Sequence, residues 1–431
     1  MNRKITDNLV VPDYRIMLIW SSADWSIYDV SNGYHNAIRH MGLPLKDFKL
    51  NNRIGFWSES LNHWADVSGL PDDKRPDVRS ILREACDWSL IEAARFRPDI
   101  VVITCAMGFH PDALLLLRSC GFRTALVLSE SPYDDEQHEY LAPMADFVFT
   151  NELMSTARLA KFNPRTFYLP TAFDASVHHD GALYTYTHNK ENAPLEHPNC
   201  DVLFVGTGFG ERERFLTSLP WSDMGIDFQL YGFWGWAGTD IDPQASLNQD
   251  LPSAQHTENH KLLPYIHEPI TNDETAARYC GAKIVLNFYR SGSQYSLNPR
   301  AYEIAACGAF QLAQDSSDEA HALFGDSIAY FSTPEELQEK IHYYLDHPEE
   351  REAMAKESQR RVHNHHSYSH RLRHMLKILA MNGLKRLDEP EEQETSEEPE
   401  ADPDLPVSLP SGQVLDYRAP SLYPDARTVD Q

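Results

Sequence analysis

Two charged side chains near residue 300 have the types and the spacing to hold a phosphorylated ribose. Arg300 and Glu303 lie three residues apart in the segment NPRAYEIAACG, which is expected to be a short helix ended by Gly308. Residues at this spacing share one helix face. If that face opens onto a cleft, Arg300 can reach a phosphate, Glu303 can accept hydrogen bonds from ribose hydroxyls, and the helix N-terminus at Asn298 can meet an anion. These residues predict a nucleoside diphosphate ligand; the alternative is an ordinary surface ion pair.

The segments before residue 175 alternate between buried strands and helices, which is typical of a parallel sheet wrapped by helices. The polar run 21–33 is expected to be a loop after the first strand. Apolar runs predict strands at 15–20, 99–104, 124–130 and 146–151, and helices at 34–42 and about 78–97.

After a polar connector at 176–200, the same alternation restarts. It predicts strands at 201–206, 283–289, 310–314 and 327–333, and a strand that runs into an aromatic turn over 228–236. Helices are predicted at 211–219, 299–308, 334–348 and about 350–384. The sequence therefore predicts an α/β protein with two Rossmann-like domains, 1–175 and 201–387, that face a central crevice. Ligands of such sheets bind beyond the carboxyl ends of the strands.

The net charge of the chain limits its partners. The 431 residues carry a formal charge of -26, and 13 acidic but only 2 basic residues lie in the tail 388–431. That tail is rich in Glu, Pro and Asp, so it is predicted to be disordered. The rest of the chain is also acidic, which makes a nucleic-acid partner unlikely on electrostatic grounds.

The cysteine pattern and the lengths of the apolar runs bear on where in the cell the protein is located. Six cysteines are scattered without a CxxC pair, no run of 18 apolar residues is present, and the N-terminus lacks an apolar signal region. We therefore expect a soluble cytoplasmic protein with no membrane span and no zinc site.

Three motifs in order carry a family resemblance. They are FVGTGFGERERFL (204–216), RAYEIAACG (300–308) and TPEELQEKIHYYLDHPEEREAMA (333–355). With them, the second half resembles the donor domain of a GT-B glycosyltransferase, and more narrowly the CgeB or spore-maturation type with its group 1-like C-terminal domain. The match covers roughly 201–384 well, and the first half more loosely.

The resemblance implies a nucleotide-diphospho-sugar donor held by the second domain and an acceptor presented by the first. In the family, the glutamate holds the donor ribose, the arginine of the same helix meets the diphosphate, and the glycine turn brings backbone amides close to phosphate. Carried onto this sequence, and with Asn298 at the start of the helix, the donor-binding positions are Gly206, Thr207, Gly208, Arg212, Arg300 and Glu303.

One position departs from the pattern of many related retaining enzymes. They carry a second glutamate eight residues before the ribose glutamate, where this chain has Tyr295. The fold usually needs no metal and no cofactor, since cations and helix dipoles stabilise the leaving diphosphate. Asp240 and Asp242 have metal-motif spacing but are expected to lie on the surface. The histidines 366, 370 and 374 are expected to belong to a polar helix.

Sugar transfer also needs a group that positions or deprotonates the acceptor. The candidates follow strands of the first domain and so face the crevice: Glu130, His110, and Asp24 or Asp29. Glu130 has the best position, because the resemblance places it where relatives have an acidic residue before a proline. The alternative for Glu130 is a helix-capping or salt-bridged carboxylate.

The acceptor is not identified by the sequence; a glycan, a protein and a modified base all remain open. Three other functions fit the same fold. One is a sugar-nucleotide 2-epimerase, which needs no acceptor. Another is a non-catalytic sugar-nucleotide-binding adaptor acting through the acidic tail. The third is a glycosyltransferase for modified DNA bases, which the acidic charge disfavours.

Overall fold

The protein is described from a computed structural model, and the described residues are 12–22, 26–182, 199–208, 210–234, 261–290 and 292–387. The described residues belong to one compact unit. The predicted tail, most of the predicted connector, and the candidates Asp24, Asp240 and Asp242 lie outside the described residues.

A six-stranded parallel sheet forms the centre of the first half, with the strand order β2-β1-β3-β4-β5-β6. Its strands are β1 Ile16–Trp20, β2 Leu45–Lys49, β3 Ile100–Thr104, β4 Thr124–Leu128, β5 Phe147–Thr150 and β6 Thr166–Tyr168. The helices of this half are α1 Ser26–His40, α2 Leu50–Val67, α3 Val78–Phe96, α4 Pro111–Ser119, α5 Asp135–Leu141 and α6 Leu153–Leu159. Short 3-10 turns cover Asp72–Lys74 and Ala142–Met144.

A second parallel sheet of six strands follows, in the order β12-β11-β10-β7-β8-β9. Its strands are β7 Cys200–Val205, β8 Phe228–Tyr231, β9 Ile266–His267, β10 Ala282–Asn287, β11 Gln311–Gln314 and β12 Ala329–Phe331. The helices are α7 Gly210–Thr217, α8 Trp221–Met224, α9 Asn272–Gly281, α10 Pro299–Ala306, α11 Asp318–Phe324, α12 Pro334–Asp346, α13 Pro348–His363 and α14 Tyr368–Met381. Further 3-10 turns cover Leu263–Tyr265 and Gly325–Ser327.

The strand orders show where ligands can bind. Strand order reverses between β1 and β3 in the first sheet and between β7 and β10 in the second. Loops that leave neighbouring strands at such a switch point diverge to opposite faces of the sheet and open a crevice between them. The two Rossmann-like halves expected from the alternation of strands and helices are therefore observed.

The loop expected at 21–33 is wrong, because α1 begins at Ser26. An apolar stripe at helical spacing is buried on one side of α1. Val30 and Tyr34 pack in the core of the first sheet, and Ile27 packs against Cys105, which follows β3. Gly33 lies in the middle of this helix because the ring of Tyr368 packs directly on it. A Cβ at Gly33 would come within 2.2 Å of that ring.

The single helix expected at about 350–384 is also wrong, because the chain turns between α13 and α14. The side chain of Ser367 caps α14 by accepting a hydrogen bond from the His370 amide. The turn sends α14 back to the first half, where Leu372 and Leu376 pack in the same core as Tyr14. The Tyr14 hydroxyl also donates a hydrogen bond of 2.9 Å to the Leu384 carbonyl.

Within the described part of the chain, no helix is both long and apolar enough to cross a membrane.

Candidate functional site

A glycine turn follows β7 at the switch point of the second sheet. The amide of Gly206 donates a hydrogen bond of 2.9 Å to the carbonyl of Tyr231. Gly206 has a φ of +154°, and a Cβ on it would lie 2.4 Å from an Arg300 guanidinium nitrogen. Gly232 has a φ of +122°, and a Cβ there would lie 2.4 Å from the Gly206 carbonyl oxygen. Glycine is therefore needed at both positions for two backbone turns and the Arg300 side chain to approach one another.

Arg300 and Glu303 lie on α10, one turn apart, and no ion pair joins them in the described structure. The Arg300 guanidinium lies 4.9 Å from the ring centre of Phe204 and interacts with the Tyr279 hydroxyl. The Glu303 carboxylate is half-buried and accepts no hydrogen bond from any described residue. Burial raises the pKa of Glu303 to about 7, although Arg300 acts against this shift. The alternative of an ordinary surface ion pair does not fit this arrangement.

Arg212 lies on α7 and is 8% exposed. Its guanidinium donates hydrogen bonds of 3.2 Å to the carbonyls of Thr207 and Phe288. These carbonyls belong to the loops after β7 and β10, so one buried cation joins the two loops of the switch point. Gly208, beside Thr207, packs against Trp234 so closely that a Cβ would lie 2.6 Å from the indole ring.

Asn298 fixes the start of α10. Its side-chain oxygen accepts a hydrogen bond of 3.1 Å from the Ala301 amide, which is the N-cap interaction. Its side-chain nitrogen donates to Asn287 at 2.9 Å and to the Phe288 carbonyl at 3.1 Å. The helix that carries Arg300 is thus fastened to the end of β10.

Glu130 follows β4 and meets the second half of the molecule. Its carboxylate lies 3.4 Å from the guanidinium of Arg290, which follows β10. Burial raises the pKa of Glu130 to about 7, Arg290 lowers it, and Asp134 raises it further. A carboxyl group with a pKa near neutrality is suited to exchanging a proton in a reaction. Glu130 is also salt-bridged, as one alternative expected, but its partner lies across the crevice.

His110 is the N-cap of α4, where its ring accepts a hydrogen bond of 3.2 Å from the Asp112 amide. It is 6% exposed, and its backbone amide contacts the Cys86 thiol. Burial lowers the pKa of His110. Asp112 and Cys86 both belong to the first half, so these two contacts do not bring His110 to Arg300 or Glu303.

Asp29 lies in the first turn of α1 and faces the second half. Burial raises its pKa to about 7, and the negative charge of Glu303 is the next largest cause. The negative charge of Asp174 raises the pKa values of both Asp29 and Glu303. The carboxylate of Asp174 accepts a hydrogen bond of 2.7 Å from the Asn36 side chain. The structure therefore places carboxylates from two other segments, Asp29 and Asp174, near Glu303.

Three residues of this region, Arg290, Asp174 and Tyr279, were not identified from the sequence. Arg290 stands in the loop NFYRSGSQYS directly after β10, so its place beyond a strand end was a usable signal. Asp174 and Tyr279 carried no such signal, because only the tertiary fold brings them to Glu303 and Arg300.

A cleft of about 1070 Å³ adjoins Arg290 and is lined by both halves. The first half contributes Pro132 and side chains of α6, and the second contributes loops after β10 and β11. Tyr295, which stands where retaining relatives have a glutamate, lines this cleft, and its carbonyl accepts a hydrogen bond of 3.3 Å from the Leu153 amide. The lining is rich in hydroxyl, amide and charged groups.

The three histidines near α14 have separate surroundings. His366 accepts a hydrogen bond of 2.9 Å from Arg371, and the His370 ring lies 2.7 Å from the Ser367 hydroxyl. His374 is exposed. More generally, the described residues contain no cluster of three or more His, Cys, Asp or Glu side chains that could hold a metal ion.

Comparison with known proteins agrees with this geometry. Residues 212–377 match a family model described as glycosyl transferase-like. No protein of curated function matches the sequence.

Solved structures share the fold at low sequence identity. Sucrose-phosphate synthase from Thermosynechococcus elongatus is 13% identical, with a TM-score of 0.54, over 86% of this chain and 98% of that one. HepE from Anabaena, solved in complex with UDP-glucose, is 10% identical, with a TM-score of 0.51, over 85% of this chain and 100% of that one. An α,α-trehalose 6-phosphate synthase from Burkholderia multivorans is 11% identical, with a TM-score of 0.53, over 86% of this chain and 99% of that one. The chain therefore has the GT-B fold of these proteins, and its second half is similar to the glycosyl transferase-like family.

Proposed function

We propose that this protein is a glycosyltransferase that moves a hexosyl or pentosyl group from a nucleotide-diphospho-sugar to an acceptor hydroxyl without a metal ion. The observation that carries the proposal is the half-buried Glu303 carboxylate, which has no hydrogen-bond donor among the described residues. It lies one helical turn from Arg300, whose guanidinium packs on the Gly206 turn. A carboxylate in this position is available for ribose hydroxyls while the cation meets the diphosphate.

The reaction breaks the bond between the sugar C1 and the β-phosphate oxygen and forms a bond between C1 and the acceptor oxygen. The electron pair of the broken bond leaves with the diphosphate, and the acceptor proton passes to a base. Arg300 and the buried charge of Arg212 stabilise the leaving diphosphate. They supply the positive charge that a metal ion supplies in other transferases.

We assign the base to Glu130, with His110, Asp24 and Asp29 as the other candidates. The pKa of Glu130, raised to about 7, suits proton transfer near neutral pH. The cleft of about 1070 Å³ is lined by Arg290, the ion-pair partner of Glu130, and its polar lining offers a place for a hydroxylated acceptor.

Three further observations support the proposal. HepE, which shares the fold, has been solved with UDP and with UDP-glucose. The order of the three motifs favours the CgeB or spore-maturation type within this fold. The six cysteines are free thiols, which supports a cytoplasmic location.

A thermal-shift screen with UDP-, GDP-, dTDP- and CMP-sugars tests the donor site. A ligand at about a hundred times its Kd stabilises the native state by roughly 2.7 kcal/mol, which corresponds to a rise in Tm of several degrees. We expect one nucleotide class to give this shift and Glu303→Gln to lose it. Glu339→Gln, the same change at an exposed position of α12, is the matched control and should keep the shift.

Donor consumption, followed with and without added acceptors, separates the functions that share this fold. Sugar transfer to a glycan or protein supports the proposal. Release of free nucleotide with an altered sugar, and no need for an acceptor, would indicate an epimerase. Binding without turnover would indicate an adaptor, and transfer only to a modified base would indicate a DNA-modifying enzyme. A folded protein that binds none of the nucleotide sugars would contradict the donor site itself.

A further inference from the structure

An ion pair joins the two halves at the strand ends that border the cleft. Glu130 follows β4 of the first sheet and Arg290 follows β10 of the second, 160 residues later in the chain. Their nearest side-chain atoms, Glu130 Oε2 and Arg290 Nη1, are 3.4 Å apart. The Arg290 guanidinium also stacks on the Tyr133 ring at 3.6 Å from its centre. The first half thus holds the Arg290 side chain through a carboxylate and an aromatic face.

Arg290 belongs at the same time to the donor end of the second sheet. The carbonyl of Phe288, two residues earlier, accepts hydrogen bonds from both Arg212 and Asn298. The positive charges of Arg290 and Arg212 both act on the Tyr133 hydroxyl and lower its pKa against the effect of burial. Arg290 and Arg212 are therefore near enough to each other to act on one group of the first half, the Tyr133 hydroxyl.

We propose that Arg290 is shared between Glu130 and the diphosphate of the donor, so that donor binding in the second half withdraws the cation from the base in the first. Arg290 is then a positioning residue, which sets the proton affinity of Glu130 according to whether the donor is bound. The inference rests on the proposed function, because it needs a nucleoside diphosphate in the second half.

The exchange has a measurable consequence for protons. The groups that face Glu130 are Arg290 from the end of β10, Asp134 and Tyr133 from the start of α5, and Cys105 from the end of β3. Of these, Arg290 is the one that favours the charged carboxylate, whereas burial and Asp134 favour the protonated form. Withdrawal of Arg290 must therefore raise the proton affinity of Glu130, and the protein should take up a proton as the diphosphate binds.

Calorimetric titration at pH 7 in buffers of different ionisation enthalpy measures this uptake. The probe is whichever of UDP, GDP and dTDP gives the largest thermal shift, and the matching nucleoside is titrated alongside. We expect the wild-type protein to take up a fraction of a proton more than Glu130→Gln does when the diphosphate binds, and the two proteins to exchange the same number of protons when the nucleoside binds. Glu130→Gln should bind the diphosphate without that uptake. Glu357→Gln, which removes a carboxylate paired with Arg360 on α13, is the matched control and should keep it.

Arg290→Gln tests the proposed interaction between Arg290 and the diphosphate. It should lower the ratio of diphosphate to nucleoside affinity by about tenfold or more, since a charge-assisted hydrogen bond is lost, and it should also reduce the proton uptake. Arg290→Lys, which keeps the charge, should restore part of both and shows that the site is still folded.

Two results would overturn the inference and leave the donor site intact. One is an unchanged proton uptake in Glu130→Gln; the other is an equal loss of diphosphate and nucleoside affinity in Arg290→Gln. If the wild-type protein bound no nucleoside diphosphate, the proposed function would fail, and this inference with it.

Discussion

The Glu303 carboxylate is held where it is costly to ionise. It is half-buried, lies near Asp174 and Asp29, and has no hydrogen-bond donor among the described residues. A binding site often carries such a cost, because the groups that meet the ligand are left unsatisfied in its absence.

This cost predicts a pH-dependent gain in stability for Glu303→Gln. The folded pKa of Glu303 is about 7, above its ordinary value of 4.5, so the folded state binds more protons between these values and loses stability as pH rises through them. The side-chain amide of Glu303→Gln does not ionise, so the variant does not lose this stability as pH rises. We expect the variant to be more stable than the wild type by about 1–3 kcal/mol at pH 8 and no more stable at pH 4.5, measured by urea unfolding.

Glu339→Gln, at an exposed position, should change stability little at either pH. A Glu303→Gln variant with the same stability difference at pH 4.5 and pH 8 would show that the Glu303 carboxyl is not perturbed in the folded protein.

The candidate site was predictable from the sequence where the signal was local. Arg300 and Glu303 are three residues apart, and helical geometry alone puts them on one face. Arg290 and Glu130 are 160 residues apart, so no spacing rule links them and only the packing of the two halves shows the pair. Asp24 lies outside the described residues, and the catalytic roles of Glu130 and His110 stay predictions.

Among the elements, α10 depends on one side chain for its position. Asn298 caps the helix and ties it to Asn287 and Phe288 at the end of β10. Loss of a cap costs about 1 kcal/mol, and the carbonyl and amide groups left behind add to that cost.

We therefore expect Asn298→Ala to destabilise the protein by about 2–3 kcal/mol and to weaken nucleoside diphosphate binding, because Arg300 and Glu303 lose their fixed register. Urea unfolding and calorimetry measure the two effects. The matched control is Thr271→Ala, which removes the capping box of α9. It should cost about 1 kcal/mol and leave binding unchanged; equal losses of affinity in both variants would show that the effect of Asn298 is only a general loss of stability.

Local composition disguises helix α1 in the sequence. Asp29, Ser31, Asn32 and Gly33 are residues typical of loops, and they hide the apolar stripe that begins at Ile27. In the structure, the Ser31 hydroxyl is buried 2.7 Å from that of Thr104, and Gly33 makes room for Tyr368. Each of these contacts comes from a distant part of the chain, so tertiary packing overrides the local preference.

Across the whole molecule, the alternation of strands and helices was sufficient to predict two Rossmann-like halves, and the GT-B fold is confirmed. The predicted domain limits of 1–175, 176–200, 201–387 and 388–431 stay predictions. The return of α14 to the first half was implied by the family resemblance and is observed, but the residues of the helix alone do not predict it, because its apolar stripe would suit either core.

Two truncations test the dependence of the first half on α14. A chain that ends at Leu387 keeps the helix, and we expect its Tm to equal that of the full chain. A chain that ends at Ser367 lacks four buried side chains of the first core, Leu372, Met375, Leu376 and Leu379. Since the loss of one such side chain costs about 2–5 kcal/mol of the free energy of unfolding, the loss of all four exceeds the stability of an ordinary domain. We expect it to be unfolded or aggregated.

Circular dichroism and size-exclusion chromatography measure the outcome. A chain ending at Ser367 that melts cooperatively near the Tm of the full chain would show that α14 does not contribute to the first core.

The same helix sets the order in which the protein can be made. The first sheet leaves the ribosome with β6, and α14 begins 200 residues later. At about 5–20 residues per second, that interval is roughly 10–40 s. During it, the nascent first half exposes the apolar groove that α14 will fill. This half is therefore a natural client for chaperones during translation, and its core becomes complete only once α14 has been made.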